Sequence, residues 1–167
     1  AGFSHTHIRR VSVSSLLRTQ FEWFYPLSEQ HQIQFKIDAT KELYWNTDSV
    51  YFKKILANLI SNAFKYTEDG GTVRISLHEE ENFLVLKVYN TGKGIEEADM
   101  QNIFDRYRIL GTMDNDDNRQ NTARNGLGLF ICHSLVQSLG GKIDIESEVG
   151  QYAEFTVTLP FGIVEES

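Results

Sequence analysis

Apolar and polar positions follow two periods along the first part of the chain. Apolar residues recur at helical spacing over residues 14–29, behind a serine that can cap a helix. Residues 33–37 then alternate in the two-residue period of a strand, and residues 43–45 form another short apolar run. The pattern predicts a helix followed by two short strands.

The remaining pattern predicts further helices and two strand pairs. Residues 48–66 predict a helix capped by Asp48, and two alternating strands follow over residues 73–77 and 84–88. Later elements are a helix over 96–104, a helix over 126–139, and strands over 142–147 and 153–159. Because hairpins join the strands, we expect an α+β fold, a two-layer sandwich in which about three helices cover one face of a mixed, mostly antiparallel sheet.

Residues 105–125 interrupt this pattern. The segment has little periodicity and an acidic centre, and it is too long for an ordinary connection, so we expect a lid or a disordered stretch. Residues 1–11 predict a linker or a cloning remnant, and residues 162–167 a tail. Residues 12–161 are then expected to form one domain.

Composition limits the class of protein. The 167 residues, 41% of them hydrophobic, are enough for one domain with a core, and a net charge of −7 disfavours a basic surface for nucleic acid. The single cysteine, Cys132, cannot form an internal disulfide and is expected to fill the core in a reducing compartment. No apolar run reaches the roughly 18 residues of a membrane span, although membrane anchoring of a longer parent protein stays open.

Four polar residues lie on one arc of the helix over 48–66, beside its apolar face: Asn58, Asn62, Lys65 and Tyr66. Mid-helix asparagine costs a few tenths of a kcal/mol relative to alanine. An amide oxygen is a hard, uncharged ligand that suits Mg²⁺, and a lysine one turn on could meet phosphates. The alternative is a polar flank that hydrogen-bonds to a neighbouring strand, and the spacing alone weighs the two equally.

Two glycine-containing segments follow strands or open helices. In residues 90–95, Gly92 and Gly94 let the backbone approach a flat ligand closely. Residues 125–129 stand at the start of the last predicted helix, where free N–H groups and the helix dipole favour an anion. Each signal alone is weak, because ordinary turns use the same residues, and neither a P-loop nor a dinucleotide fingerprint is present.

Taken in order, these segments resemble the ATP-binding catalytic domain of sensor histidine kinases, a group related to DNA gyrase, mismatch-repair ATPases and heat-shock chaperones. The resemblance covers roughly residues 12–160. Residues 58–67 resemble the N box, 90–95 the first glycine box, 104–107 the F box and 126–129 the second glycine box. The resemblance implies a Bergerat-type ATP-binding fold whose long lid folds over the triphosphate.

The resemblance implies a phosphate-binding side of the site. Asn62 should bind Mg²⁺ with Asn58 assisting, and Lys65 should neutralise phosphate charge, so these three form the implied catalytic set. The lid, expected over 105–125, should supply an arginine to the γ-phosphate, and the sequence leaves open which of four it is: Arg106, Arg108, Arg119 or Arg124.

The resemblance also implies an adenine-binding side. Tyr66 should pack on the adenine, Asn90 should accept a hydrogen bond from its exocyclic amine, and Gly94 should leave room for the ring. The other implied ATP-binding positions are Gly92, Ile95, Tyr107, Arg124, Gly126, Leu127 and Gly128.

Two positions depart from the family pattern. Position 90 is usually Asp, and the neutral Asn90 should form a bond weaker by roughly 1 kcal/mol, which predicts weaker or less selective adenine binding. Arg124 stands two residues before Gly126, where many relatives have glycine. It predicts either a stiffer lid hinge or a phosphate clamp.

Position 58 separates phosphotransfer from hydrolysis. The hydrolysing relatives carry Glu there, which can activate water, whereas the amide of Asn58 cannot take a proton at neutral pH. This favours a protein-histidine kinase that uses ATP and Mg²⁺ in signal transduction. The alternatives are a degenerate nucleotide-binding or docking module and, less favoured, an ATP-hydrolysing relative.

The acceptor histidine is expected on another domain. None of the five histidines has the acidic, basic and proline neighbours that the family places around its phosphoacceptor. The expected partners are a histidine-containing dimerisation domain upstream of residue 1, in a homodimeric parent protein, and a response-regulator receiver domain. The domain is expected in the cytoplasm, without contact to nucleic acid or membrane.

Overall fold

The computed structural model describes residues 5–39, 41–100, 103–104 and 118–165, with side chains from residue 128 onward in the last helix. The strands are β1 (Arg9–Ser12), β2 (Gln34–Asp38), β3 (Tyr44–Thr47), β4 (Thr72–Glu80), β5 (Phe83–Thr91), β6 (Lys142–Glu148) and β7 (Tyr152–Pro160). The helices are α1 (Val13–Gln30), α2 (Ser49–Tyr66), α3 (Glu97–Met100) and α4 (Asn118–Ser138).

The central sheet has five strands in the order β2-β4-β5-β7-β6. Only β2 runs parallel to its neighbour, and the other three pairings are antiparallel. Buried and less buried residues alternate along β7, which is the pattern of a sheet with one face covered. The predicted two-layer fold with a mixed, mostly antiparallel sheet is therefore confirmed.

Helix α2 forms the centre of the covered layer. Its predicted apolar arc is buried, and it contacts α1, α4 and β5: the arc consists of Phe52, Ile55, Leu56, Leu59, Ile60 and Ala63. Asp48 caps the helix as predicted, because its Oδ1 accepts the N–H groups of Val50 and Tyr51 at 2.9 and 3.0 Å. The apolar stripe and the cap together fix the position of the polar arc, which lies beside the buried face of the helix.

Cys132 lies in the core between α4 and the sheet. The side chain is fully buried, which confirms the predicted core position, and burial raises the pKa of its thiol to about 12. A thiol with so high a pKa stays protonated at neutral pH. Across the described ranges, no helix is both long and apolar enough to span a bilayer.

The N-terminal segment differs from the prediction. The sequence predicts no regular element before residue 11, but Arg9–Ser12 form β1, which pairs antiparallel with β3. The backbone N–H of His7 also donates to Asp48 at 2.8 Å. Four residues are too few to show a strand period, so only the pairing with β3 reveals this element. The predicted domain limits at residues 12 and 161 stay predictions.

Two helix boundaries also differ from the prediction. The helix expected over 126–139 begins at Asn118, because residues 118–125 contain neither glycine nor proline and continue the helix without an apolar stripe. The helix expected over 96–104 is shorter: α3 ends at Met100, and residues 103–104 form a turn. At the start of α4, a polar sequence with adequate helix propensity therefore extends the helix beyond the range that the apolar period predicts.

Candidate functional site

The polar arc of α2 lies in the C-terminal half of the helix. Asn62 is buried, with 5% of its surface exposed, and its buried Oδ1 atom has no hydrogen-bond partner among the residues that the structure describes. Asn58, one turn earlier, is half-buried. A buried acceptor without a partner is costly, so such an atom indicates stored strain or a place for a water molecule, an ion or a ligand.

Helix α4 passes beside this arc. A Cβ atom placed on Gly128 would lie 3.5 Å from Oδ1 of Asn58, so the glycine brings the two helices close together at the amide. Gly126 and Leu127 belong to the same helix, which begins at Asn118. The expected helix start at residues 125–129 is therefore wrong.

The position of the second glycine segment inside α4 limits what its backbone N–H groups can bind. N–H groups beyond the first turn of an α-helix are used inside the helix. Gly126 and Gly128 lie well past the first turn of α4. Phosphate binding by their backbone would require the first turns of α4 to unwind, and it stays a prediction.

The C-terminal end of α2 contacts the glycine segment after β5. Lys65 and Tyr66 are exposed, with Tyr66 at 48%, so both side chains are accessible from solvent. Gly92 has φ +151°, and a Cβ atom there would lie 2.3 Å from the carbonyl oxygen of Tyr66. The backbone N–H of Gly92 donates to Gln151 at 3.1 Å. Only glycine therefore allows this contact between the helix end and the strand end.

Asn90 is the last inward-facing residue of β5. It is 3% exposed and follows Leu84, Leu86 and Val88 in the row that faces the helices. Its Nδ2 donates to the carbonyl oxygen of Thr91 at 3.0 Å. The inward-facing row of β5 thus changes from apolar to polar residues near the C-terminal end of α2.

Gly94 and Ile95 are held by the turn between β6 and β7. Gly94 has φ +70°, and a Cβ atom there would lie 2.5 Å from the carbonyl oxygen of Glu148. The N–H of Ile95 donates to the hydroxyl of Ser147 at 2.7 Å, and this hydroxyl donates to the carbonyl oxygen of Tyr152 at 2.8 Å. The chain's own packing thus requires glycine at 94, and the expected room for a ring stays a prediction.

Sequence reasoning missed Ser147 and Thr91. Ser147 bridges two segments that are about fifty residues apart, and no local pattern marks it. Thr91 accepts the Asn90 amide with its carbonyl and the Thr72 N–H with its hydroxyl at 2.9 Å. Other predicted residues lie outside the described part of the chain, as whole residues or as side chains: Arg106, Tyr107, Arg108, Arg119, Arg124 and Leu127.

The side chains around the arc suit a metal ion that is bound through amide oxygens. Within the described residues, no cluster of three or more His, Cys, Asp or Glu side chains could hold a metal. The unpaired Oδ1 of Asn62 and the neighbouring amide of Asn58 are neutral oxygen donors. Such a site fits a metal that takes most of its ligands from phosphate and water, as Mg²⁺ does.

Helices cover one face of a mixed sheet, and amides and glycine turns lie at one end of α2 and β5. This arrangement is that of a two-layer ATPase domain. The family profile described as histidine kinase-, DNA gyrase B-, and HSP90-like ATPase matches residues 47–163, and the chain belongs to this family. Membership implies ATP as the ligand.

Individual relatives agree with this assignment. Sensor protein SrrB of Staphylococcus aureus is 36% identical over 120 residues, which are 72% of this chain and 20% of that protein. The chain therefore spans about a fifth of the length of this relative. Full-length ShkA, solved in complex with AMPPNP, superposes with a TM-score of 0.78 at 25% identity, over 97% of this chain and 33% of that chain.

Structures of ThkA support the fold. Its nucleotide-free catalytic domain superposes with a TM-score of 0.78 at 24% identity, over 92% of this chain and 95% of that chain. ThkA in complex with the response regulator protein TrrA gives a TM-score of 0.74 at 23% identity, over 93% of this chain and 42% of that chain.

Proposed function

We propose that this chain is the catalytic ATP-binding domain of a sensor histidine kinase. It binds ATP with Mg²⁺ and donates the γ-phosphoryl group to a histidine on a separate dimerisation domain. The observation that carries the proposal is the buried Oδ1 of Asn62, which has no hydrogen-bond partner in the described part of the chain. A ligand that satisfies this atom converts an unfavourable feature of the free protein into binding energy.

The residues on the α2 arc have two roles in this proposal: the asparagines bind the metal, and the lysine binds phosphate. Asn62 and Asn58 offer neutral oxygen ligands, and Mg²⁺ supplies neutralisation of the charge that develops during phosphoryl transfer. Lys65 lies about one turn beyond Asn62 and about two turns beyond Asn58, in the exposed last turn of α2, where an ammonium group can meet a phosphate oxygen. The chain's part in catalysis is positioning and charge neutralisation.

Asn58 favours transfer to an acceptor over hydrolysis. A general base must accept a proton at the operating pH, and an amide cannot. Water next to Asn58 is therefore not activated by this residue. An incoming imidazole nitrogen needs no such base, because its neutral form already carries a lone pair.

The proposed partners come from outside this chain. SrrB is named a sensor protein and is about five times as long as the matched region, which leaves room for other domains in a parent protein of that kind. We propose a histidine-containing dimerisation domain of a homodimeric parent as the acceptor, and a response-regulator receiver domain as the second partner. Both steps take place in the cytoplasm, where ATP is available.

Calorimetric titration tests the metal site. Wild-type protein should bind ATP more tightly with Mg²⁺ than with a chelator, and Asn62→Ala should lose this metal dependence and about 10- to 100-fold in affinity. Ser61→Ala is the matched control, because Ser61 is exposed on the same helix turn. Retained Mg²⁺-dependent affinity in Asn62→Ala would overturn the assignment of the metal ligand.

Incubation with labelled ATP tests the reaction. The chain alone should take up little label, whereas addition of a histidine-containing dimerisation domain should give acid-labile phosphohistidine. Stoichiometric self-labelling of the chain alone would contradict the separate acceptor. Steady release of phosphate with turnover would identify a hydrolase, and no binding at millimolar ATP would identify a docking module.

A further inference from the structure

Three successive residues at the end of β7 carry the chain across to β3. The indole Nε1 of Trp45 donates to the carbonyl oxygen of Pro160 at 2.9 Å. The ring of Phe161 meets the Trp45 indole edge-on, with the centroids 4.9 Å apart. The N–H of Gly162 donates to the carbonyl oxygen of Asn46 at 2.8 Å. We call these three residues, 160 to 162, the strap.

The strap also meets the segment that precedes β1. A Cβ atom on Gly162 would lie 2.7 Å from the carbonyl oxygen of Asn46 and 2.8 Å from the side chain of Ile8, so glycine is needed for this close approach. Strand β1 begins directly after Ile8, and its Val11 lies opposite Trp45 in the register. The strap and β1 therefore share β3 as their partner, and they come together at Ile8.

The two ends of β1 are supported differently. Its C-terminal end continues directly into α1, because Ser12 is the N-cap of that helix. Its N-terminal end lies in the two-stranded sheet with β3, which is separate from the five-stranded sheet. Two short paired strands are marginally stable and need a third element. The strap supplies that element at Ile8, beside the hydrogen bond from the His7 N–H to Asp48.

We propose that the strap holds residues 5–10 on the domain and that its release frees them, which lengthens the connection to the chain before β1. The inference rests on the proposed function, since this connection leads to an acceptor histidine only if a dimerisation domain precedes it in the parent protein. Six freed residues add up to about 20 Å of reach. The reach and stiffness of a connection set the effective concentration of one site at another, so the strap would regulate how often the nucleotide meets the histidine.

The strap lies at the other end of the domain from the candidate site. Strand β3 leads into the N-terminal end of α2, and about 21 Å of helix separate the Asp48 cap from Asn62. In β5, Phe83 pairs with Pro160 at the first residue of the strand, whereas Asn90 lies near its last. The strap can therefore be altered without a change to any candidate site residue.

Trypsin measures the release of β1, because Arg9 and Arg10 lie in this strand and cleavage there requires the strand to leave β3. Gly162→Ala should raise the rate of cleavage after these arginines about 10-fold, and Phe161→Ala about 3- to 10-fold. Ile163→Ala is the matched control, because Ile163 follows the strap directly and is 86% exposed. This variant should be cleaved at the rate of the wild type.

Cleavage after Arg74, in β4 of the central sheet, reports loss of the whole fold and should stay at the wild-type rate. Unchanged cleavage after Arg9 and Arg10 in both strap variants would overturn the inference. An equal rise after Arg74 would overturn it as well, because it would show that the strap supports the entire domain and not β1 in particular.

Hydrogen exchange of the wild type gives a test that depends on no variant. The amides of Gly162 and of β1 should exchange within about 10-fold of each other, as one cooperative unit. Protection of β1 that persists long after Gly162 has exchanged would overturn the inference. Titration with ATP and Mg²⁺ keeps the proposed function separate: the strap variants should bind as the wild type does, and a wild type that binds no ATP would overturn the proposed function while the cleavage results stand.

Discussion

The ring of Phe104 stacks on the imidazole of His133, with the ring centroids 4.9 Å apart and the planes 15° apart. Phe104 also meets Phe155 of β7 edge-on, at a centroid distance of 6.4 Å. Phe104 precedes residues 105–117 in the chain, and His133 lies in α4, which follows them. The stack therefore joins the segments on either side of residues 105–117, and the contact with Phe155 packs Phe104 against the sheet.

Phe104→Ala should remove this tie. We expect the free energy of unfolding to fall by about 2 kcal/mol, because the ring is half-buried and loses contacts to two partners. His133→Ala should cost about 0.5–1.5 kcal/mol, the usual worth of an aromatic pair. Urea unfolding of both single variants and the double variant gives the coupling energy.

His133→Phe is the matched control, because it keeps a flat ring on α4. It should unfold within about 0.5 kcal/mol of the wild type. Additive effects of Phe104→Ala and His133→Ala would contradict a direct interaction between the two rings.

Asn62→Ala should leave the stability of the nucleotide-free protein nearly unchanged. Within the described ranges its Oδ1 atom has no hydrogen-bond partner to lose, and alanine is the better helix former. Ser14→Ala is the contrast, because the equally buried Ser14 hydroxyl accepts the N–H of Leu43 at 3.0 Å and should cost about 1–2 kcal/mol. A loss in Asn62→Ala as large as in Ser14→Ala, measured by urea unfolding, would show that Oδ1 is paired in solution.

The sequence predicted those features that depend on neighbours along the chain. The bounds and buried face of α2 follow from a 3.6-residue period and one capping residue, Asp48, and both are confirmed. The start of α4 was wrong because residues 118–125 continue a helix without an apolar stripe. Period and propensity are separate signals, and over residues 118–125 the apolar period is absent, so only helix propensity could have indicated the helix.

Features that depend on distant residues could not be predicted from the sequence. The bridge from Ile95 through Ser147, and the pairing of β1 with β3, join segments far apart in the chain. The motif order placed Asn62 in the candidate site, but its unpaired oxygen is a property of the packed structure. Local patterns therefore predicted the candidate site residues, and the tertiary contacts show which of their described atoms are already paired.

Ser147→Ala should destabilise the glycine segment after β5. The hydroxyl serves the N–H of Ile95 and the carbonyl of Tyr152, so its loss leaves a donor and an acceptor without partners, at about 1–3 kcal/mol. ATP affinity should fall as well, since Ile95 belongs to the implied adenine side of the site. Ser138→Ala is the control, because its hydroxyl bonds only to Ser134 within α4 and should matter little in either assay.

Gly92→Ala and Gly150→Ala separate backbone strain from steric conflict. Both glycines have positive φ, +151° at Gly92 and +82° at Gly150. A Cβ atom on Gly150 meets nothing within 4 Å, so its replacement should cost only about 1 kcal/mol of conformational strain. A Cβ atom on Gly92 would lie 2.3 Å from the Tyr66 carbonyl oxygen, so this variant should unfold at clearly lower urea and lose nucleotide binding. Equal destabilisation of the two would contradict the close contact between α2 and β5.

Tyr152 should make stability depend on pH in the alkaline range. Its hydroxyl donates to Glu146 at 2.6 Å, and this hydrogen bond, with partial burial and the nearby charges of Glu146, Glu148 and Glu154, raises the pKa of Tyr152 to about 12. An unfolded tyrosine titrates near 10. Between these values the folded state holds a proton that the unfolded state has lost, so the stabilisation is complete below about pH 10 and is lost as the pH rises towards 12.

Tyr152→Phe isolates this effect from the other six of the seven tyrosines. The stability advantage of the wild type over Tyr152→Phe, measured by urea unfolding, should shrink from pH 10 to pH 12, the value to which the pKa of Tyr152 is raised. Glu146→Gln keeps an acceptor but removes the charge, so it should bring the pKa of Tyr152 back towards its ordinary value, as followed by ultraviolet absorbance of the phenolate. A difference between wild type and Tyr152→Phe that stays constant across this range would mean that the hydrogen bond to Glu146 does not hold the phenol proton.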